Sequence, residues 1–275
     1  MTTFVKRAIS GVLFVLAIVG GVYLGKIPFF IIFMGLMLAS LFEFYNLALK
    51  AKIRPQILLG LMFSAALFSS TYFYASGRLE PITFLGFLPL FVSIFIIELY
   101  RNHQRPFHNI AYTLLGILYI GLPFSLLSLM VLNSSSFNVS YDPSIALAFF
   151  ALTWSNDTGA YLFGVSLGKH KMFPRISPNK SWEGFIGGIA VSALAAWIIA
   201  MFIQHISLSH WLVIGFITAT MGVFGDLVES MFKRSLGVKD SGKFLPGHGG
   251  LLDRFDAILL STPVVVAYLE VMMLI

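Results

Sequence analysis

The chain has 275 residues, of which 58% are hydrophobic and 11% are charged, with 28 Phe and no Cys. Soluble globular domains carry about 25% charged residues, so this composition excludes an ordinary soluble domain and indicates a membrane protein. Disulfides and thiolate metal sites are excluded, and any metal must be bound by oxygen or imidazole ligands. The formal net charge of +6 is typical of the cytoplasmic loops of membrane proteins, so we expect no nucleic-acid partner.

The N-terminal segment resembles a signal peptide because Lys6 and Arg7 precede an apolar run. It has no clear small-residue cleavage site, and a second apolar run begins at Ile27. We therefore interpret it as a retained first membrane span.

Nine windows have the roughly 20 mainly apolar residues that a helix needs to cross the hydrocarbon core. They are residues 8–25, 27–49, 56–75, 81–100, 110–132, 144–166, 184–204, 210–231 and 257–275. This pattern predicts an all-α polytopic membrane protein with about nine transmembrane helices. The informative polar residues lie in the second half, so residues 1–132 are predicted to be a scaffold of about five helices. Residues 133–275 are predicted to be a catalytic region of about four helices.

The basic residues predict the orientation of these spans. With the N-terminus inside, only Lys26 and Arg78 of the 18 Lys and Arg residues fall outside. This bias follows the positive-inside rule and requires an odd number of spans. The C-terminus is then outside, and loops 167–183 and 232–256 are cytoplasmic. Two acids of the scaffold, Glu43 and Glu98, are interpreted as interfacial anchors or as partners of nearby Lys and Arg.

The first charged cluster surrounds Asp157, which lies inside an apolar window. A charge within a span costs at least about 2.5 kcal/mol and usually faces a wet cavity or a partner. Asn156, Asp157, Thr158 and Tyr161 offer several oxygen atoms within about one helical turn. We favour a functional site here over a polar clasp between helices, although Gly159 and nearby small residues would permit close helix packing.

The second cluster is residues 173–184, where two prolines and a polar run predict a loop. It contains residue types that bind phosphate oxygens, namely Arg175, Ser177, Asn179, Lys180 and Ser181. A solvated basic loop would look similar, and Ser181 could also cap the following helix.

The third cluster comprises two pairs of acids, each three residues apart. The first pair is Asp226 and Glu229. A salt bridge to Lys233, four residues later, explains Glu229. It does not explain Asp226, which is placed deeper in the span. The second pair, Asp253 and Asp256, enters the last span. Carboxylates from neighbouring helices suit Mg²⁺, which keeps positions for water and for substrate phosphates.

A glycine-rich turn, L-P-G-H-G-G, lies between these acids and a basic stretch. Its glycines at 247–250 allow close backbone approach to a bound group, although a plain turn after Pro246 is the alternative. His248 is interpreted as a hydrogen-bond donor, a base or a turn residue. The acids could bind a metal, and the basic residues could bind a polyphosphate. Together with the membrane location, they predict a cytoplasm-facing polar cavity in which a phosphate ligand meets a lipid.

The run from Ser230 to Asp256 reads S-x-x-K-R-x-x-x-x-K-D-x-x-x-x-L-P-G-H-G-G-x-x-D-R-x-D. It resembles the signature of the phosphatidate cytidylyltransferases, also called CDP-diacylglycerol synthases. The stretches D-T-G-A-Y-x-x-G-x-x-x-G-K and S-P-x-K-S-W-E-G, between Asp157 and Gly184, resemble that family too. The N-terminal half resembles it only as generic spans.

The resemblance implies the reaction of CTP with phosphatidate to give CDP-diacylglycerol and pyrophosphate, in phospholipid biosynthesis. It also implies Mg²⁺ bound by Asp226, Asp253 and Asp256, a second monovalent cation such as K⁺, and a homodimer. Lys239 is assigned with these aspartates to the catalytic residues. The residues assigned to substrate binding are Asp157, Ser177, Asn179, Lys180, Ser181, Arg234, Lys243, His248, Gly249 and Arg254. A compact chain of this kind suits a bacterial inner membrane, with the active site facing the cytoplasm.

Three alternatives remain open. A CTP-dependent polyprenol kinase would transfer the γ-phosphoryl group to a lipid alcohol and release CDP. A CDP-alcohol phosphotransferase is disfavoured because its D-G-x-x-A-R opening is absent, despite the spacing of Asp253 and Asp256. A cation or phosphate transporter would place polar residues across the whole membrane, whereas the outer parts of these spans are nearly uncharged.

Overall fold

The computed structural model describes residues 3–135, 138–238, 242, 249–272 and 274–275. The chain separates into two compact units, one formed by residues 1–142 with 235–254 and the other by residues 143–234 with 255–275. Helices dominate both units, in agreement with the predicted all-α class.

The first unit contains most of the helices of the N-terminal half. Its elements are α1 (Thr3–Tyr23), α2 (Lys26–Lys50), α3 (Ile57–Ala75), a 3₁₀ turn (Pro81–Gly86), α4 (Phe87–Arg101), α5 (Pro106–Gly116), a π turn (Ile117–Gly121) and α6 (Leu122–Val131). An antiparallel hairpin of β1 (Leu132–Ser135) and β2 (Asn138–Tyr141) follows. The π turn precedes Pro123, which has no N–H to donate to the preceding turn, so the helix adjusts there and continues as α6.

Tyr45 is the centre of packing between α2, α3 and α5. Its hydroxyl donates to the carbonyl of Thr113 at 2.8 Å. Gly60 and Gly116 lie so close that an added Cβ would come within 2.2 Å and 2.5 Å of Tyr45 atoms. Small residues therefore let the helices close around one buried ring, as is common in membrane proteins.

Glu98 of α4 lies in a buried polar network of the first unit. Its carboxylate pairs with Arg101 at 2.8 Å and accepts from Asn109 at 2.7 Å and from Gln56 at 2.9 Å. Only 4% of Glu98 is exposed, and the three donors compensate its burial. The interpretation of Glu98 as a partner of a nearby basic residue is confirmed.

The second unit carries the predicted site. Its elements are α7 (Ser144–Leu167), β3 (Lys171–Phe173), β4 (Ser177–Ser181), α8 (Trp182–Phe202), and most of α9 (Leu208–Ser235) and α10 (Leu252–Val271). The predicted loop at 167–183 therefore contains a small hairpin, in which Phe173 pairs with Ser177. The prolines exclude a helix, but a two-stranded hairpin has only edge strands, and an edge strand tolerates Pro178.

Glycines bring α7 and α8 into close contact. A Cβ at Gly159 would lie 2.7 Å from that of Val191, and one at Gly187 would lie 2.3 Å from the ring of Phe163. The close packing anticipated at Gly159 is confirmed.

Among the described residues, six helical segments are long and apolar enough to cross a membrane. They are Lys26–Lys50, Ile57–Ala75, Pro81–Arg101, Pro106–Val131, Trp182–Phe202 and Leu208–Ser235. The chain is therefore a multi-pass membrane protein. The three remaining windows overlap α1, α7 and α10, and crossing by these helices, which gives the count of nine, stays a prediction.

Candidate active site

Lys180 of β4 and Asp226 of α9 form an ion pair in the second unit, with Nζ 2.7 Å from Oδ2. Lys180 also donates to the carbonyl of Val223 at 3.2 Å, and the Ser230 hydroxyl donates to Asp226 Oδ1 at 3.3 Å. The two charged side chains are 21% and 40% exposed. Because neither is sealed in the protein, a ligand could reach both charges.

Gly225 allows α10 to approach α9 beside this ion pair. A Cβ at this position would lie 2.3 Å from the carbonyl oxygen of Asp256 and 3.2 Å from the Cα of Ala257. Backbone atoms cannot move aside as a flexible side chain can, so only glycine permits this approach. Gly225 thus places Asp226 next to the backbone of Asp256.

Three carboxylates and one ammonium group interact in this region. Asp157 of α7 lies within electrostatic range of Asp226 and Lys180. Asp256 lies within range of the same two residues and of Asp157. The three acids, each on a different helix, therefore lie within electrostatic range of one another, and one lysine offsets part of their charge.

Asn156 precedes Asp157 in α7 and packs against α8. Its side chain is fully buried, and a Cβ at Gly188 would come within 2.5 Å of its Oδ1. Tyr161, by contrast, is 69% exposed, and Thr158 donates its hydroxyl to the Trp154 carbonyl within the helix. The oxygen-bearing residues of this turn therefore face different directions around α7, and the assignment of Asp157 to substrate binding stays a prediction.

The donor types of this cluster suit a hard cation such as Mg²⁺, which takes one or two carboxylates and completes its shell with water or phosphate oxygens. Within the described part of the chain, no group of three or more His, Asp or Glu residues is placed to hold a metal ion. The assignment of Asp226, Asp253 and Asp256 as metal ligands stays a prediction.

Asp253 lies at the start of α10 and belongs to the first unit. Its Oδ2 accepts from the backbone N–H of Gly250 at 2.9 Å. Gly249 has a φ of 85°, and a Cβ there would lie 2.8 Å from the same oxygen. Gly249 thus permits close approach between the backbone and the Asp253 carboxylate, whereas the approach of these glycines to a bound group stays a prediction.

Comparison with known proteins identifies a family for the chain. The model of the cytidylyltransferase family matches residues 5–272. The chain belongs to the cytidylyltransferase family. The resemblance found in the C-terminal motifs is therefore confirmed and extends over nearly the whole chain, including the N-terminal spans.

Three relatives of this cytidylyltransferase-family chain are phosphatidate cytidylyltransferases by name. That of Bacillus subtilis is 35% identical over 271 residues, covering 96% of each chain. That of Staphylococcus epidermidis is 37% identical over 190 residues, covering 69% of this chain and 70% of the relative. That of Staphylococcus saprophyticus is 44% identical over 163 residues, covering 59% and 60%.

The predicted phosphate-binding residues of this cytidylyltransferase-family chain differ in their exposure and in their contacts. Ser181 is buried, and its hydroxyl accepts from Gly184 N–H at 3.2 Å, so it caps α8 as anticipated. Ser177 and Asn179 share β4 with Lys180. Arg234 and Arg254 are exposed. Lys239, Lys243, Gly247 and His248 lie outside the described residues.

The burial of Asp226 and Glu229 is the reverse of the prediction. Glu229 is fully buried and pairs with Lys233 at 2.6 Å, which confirms the predicted salt bridge. Asp226, expected to be the deeper of the two, is 40% exposed. The reason is that α9 turns Asp226 toward Lys180 of the hairpin and Glu229 toward the interior.

Glu43 was not predicted to contact the charged motif. Its Oε2 accepts from the backbone N–H of Leu252 at 2.8 Å, although it lies in α2 of the predicted scaffold. The available signal was an acid inside an apolar span, which usually has a specific partner, but one sequence does not identify that partner.

Proposed function

We propose that this chain transfers the cytidylyl group of CTP to phosphatidate, forming CDP-diacylglycerol and releasing pyrophosphate. The observation that carries the proposal is the partly exposed Lys180–Asp226 pair. This pair lies within electrostatic range of Asp157 and Asp256 in a chain of the cytidylyltransferase family. A site of this kind can bind phosphate through its ammonium group and a cation through its carboxylates.

The reaction needs positioning and charge neutralisation more than a strong base. The phosphate of phosphatidate is already anionic, so an oxygen of that phosphate can attack the α-phosphorus of CTP as pyrophosphate leaves. Lys180 would exchange its bond to Asp226 for a phosphate oxygen and orient the nucleotide. Arg234 and Arg254, with Lys239 and Lys243, are proposed to hold the remaining phosphates of the nucleotide and the lipid.

Asp226 and Asp256, together with Asp253 three residues earlier in α10, are proposed to hold Mg²⁺. When bound, Mg²⁺ would neutralise phosphate charge and stabilise the leaving pyrophosphate. Asp157 would add negative potential beside these acids and so favour a divalent ion over a monovalent one. A neighbouring K⁺ site is proposed from the family resemblance alone.

The cellular setting is part of the same proposal. Nine spans with the N-terminus inside would place Lys180 and the loop after α9 at the cytoplasmic face. There the site could receive CTP from solution and phosphatidate from the membrane. The family resemblance supports a homodimer in a bacterial inner membrane.

Product analysis of the purified protein tests this function. CTP labelled at the α-phosphorus is supplied with phosphatidate and Mg²⁺ in detergent. We expect label to move into a lipid, with pyrophosphate released in equal amount and neither product formed without Mg²⁺. CDP formed only when a lipid alcohol is supplied would instead indicate a CTP-dependent kinase. No product in either assay would reject both enzymes and favour transport.

A further inference from the structure

Glu43 connects α2 to the beginning of α10, across 209 positions of sequence. Its carboxylate accepts the backbone N–H of Leu252 at 2.8 Å, and Leu252 is the first residue of α10. The first N–H groups of a helix have no partner within the helix, and the helix dipole makes this end favourable for a negative charge. Glu43 therefore caps a helix that is distant in sequence.

The same carboxylate packs against Gly242, in the segment that precedes α10. A Cβ at Gly242 would lie 1.6 Å from Glu43 Oε1 and 3.2 Å from its Cγ. No side chain fits there while Glu43 keeps its position. Both contacts lie within the first unit.

The contact with Leu252 lies directly before two charged residues of α10, Asp253 and Arg254. Asp253, whose carboxylate holds the Gly250 N–H, follows directly after Leu252. One acid of α2 is thus placed to fix the backbone directly before Asp253 and Arg254.

We propose that Glu43 is a positioning residue for the nucleoside triphosphate. It holds Gly242 and Leu252 so that the start of α10 presents its charged groups, Asp253 and Arg254, to the CTP site. The inference rests on the proposed function for its choice of ligand. Glu43 touches neither substrate, and its effect is transmitted through the backbone at these two points.

Cross-linking tests the geometry without any substrate. The chain has no Cys, so paired substitutions give an unambiguous disulfide. From the Cγ distance, the Cβ atoms of residues 43 and 242 are at most about 4.7 Å apart, near the ~3.5–4.5 Å of a disulfide. We expect E43C/G242C to form an intramolecular disulfide with copper phenanthroline, measured by mass spectrometry. F42C/G242C is the control because Phe42 is 51% exposed and lies about 100° around the helix.

Steady-state kinetics test the role of Glu43 as a positioning residue. Glu43→Ala is expected to lower kcat/KM for CTP by about tenfold or more, as for loss of a hydrogen bond to a charged group. The KM for phosphatidate should stay near that of the wild type. Glu43→Gln keeps one oxygen that can accept the Leu252 N–H, and it should recover part of the loss. Glu80→Gln, at an exposed acid of the same unit, is the matched control and should match the wild type.

A double-mutant cycle separates positioning from general damage. Gly242→Ala should lower kcat/KM for CTP in the wild type, because its methyl group displaces the carboxylate. In the Glu43→Ala background the same change should cost much less, giving a clear interaction between the two sites.

Three results would overturn the inference: equal cross-linking of the two cysteine pairs, additive effects in the cycle, or a loss in Glu43→Ala that falls equally on both substrates. Wild-type protein that transfers no cytidylyl group would reject the proposed function instead. The cross-linking result would still stand in that case.

Discussion

Lys180 and Asp226 carry opposite charges and form an ion pair that is partly open to solvent, with 21% and 40% of their side chains exposed. Exposed ion pairs contribute about 0–1 kcal/mol to stability, so this pair does little for the fold. Glu229 and Lys233, on the next turn of α9, are the opposite case, with side chains that are 0% and 13% exposed. Removing one partner of a buried pair costs about 3–5 kcal/mol. Adjacent turns of α9 therefore carry one partly exposed ion pair and one buried ion pair.

Asp226→Asn should abolish most activity and leave stability nearly unchanged. Loss of its charge removes a proposed metal ligand and the partner of Lys180, and we expect kcat to fall about a hundredfold or more. Glu229→Gln should instead lower the thermal unfolding temperature in detergent, because Lys233 is left buried without its carboxylate. Initial rates and unfolding temperatures of both variants check this contrast. If Asp226→Asn retained near-wild-type turnover, Asp226 would not be a metal ligand.

At the scale of elements, glycines decide which helices can approach one another. Gly225 of α9 meets the backbone of Asp256 and Ala257, whereas Gly35 of α2 has no atom within 4 Å of where its Cβ would be. The same residue type therefore has opposite consequences in two helices. At one position it is required for contact, and at the other it only weakens helix propensity.

Gly225→Ala and Gly35→Ala form a matched pair of variants. The first should push α10 away beside Asp226 and lower both the unfolding temperature and the specific activity of the folded protein. The second should stabilise the protein by up to about 1 kcal/mol, the usual difference between Gly and Ala within a helix. Thermal unfolding with activity measured on the same samples tests both. Equal behaviour of the two variants would show that the α9–α10 approach is not needed.

Much of the element pattern was predictable from hydropathy. The windows at 27–49, 56–75 and 184–204 correspond closely to α2, α3 and α8, because apolar length alone defines such spans. The β3–β4 hairpin was not predicted, because Pro174 and Pro178 exclude a helix without specifying strand pairing. The site was predictable as a set of acids and bases. Its burial was not, since the direction each side chain faces depends on helix rotation within the fold.

The whole molecule is a multi-pass membrane protein whose basic residues are unevenly distributed along the chain. The positive-inside rule turns that distribution into a prediction of orientation. Lys171 of β3 should face the cytoplasm, and Arg78 after α3 should face outside. Both residues are exposed, and a chain without Cys makes each site separately addressable.

Single substitutions Lys171→Cys and Arg78→Cys test this topology in intact cells. A membrane-impermeant maleimide should label Arg78→Cys directly, and it should label Lys171→Cys only after the membrane is opened. The reverse pattern would invert the proposed orientation and place the Lys180 site outside. Labelling of both sites in intact cells would require a different number of spans between residues 78 and 171.

The contact between Glu43 and Leu252 also has a consequence for biosynthesis. A ribosome adds about 5–20 residues per second, so the 209 positions between them take about 10–40 s to make. During that time α2 is already synthesised while the N–H that its carboxylate accepts does not yet exist. The cap on α10 is therefore among the last contacts that can form, and an unfinished chain lacks it.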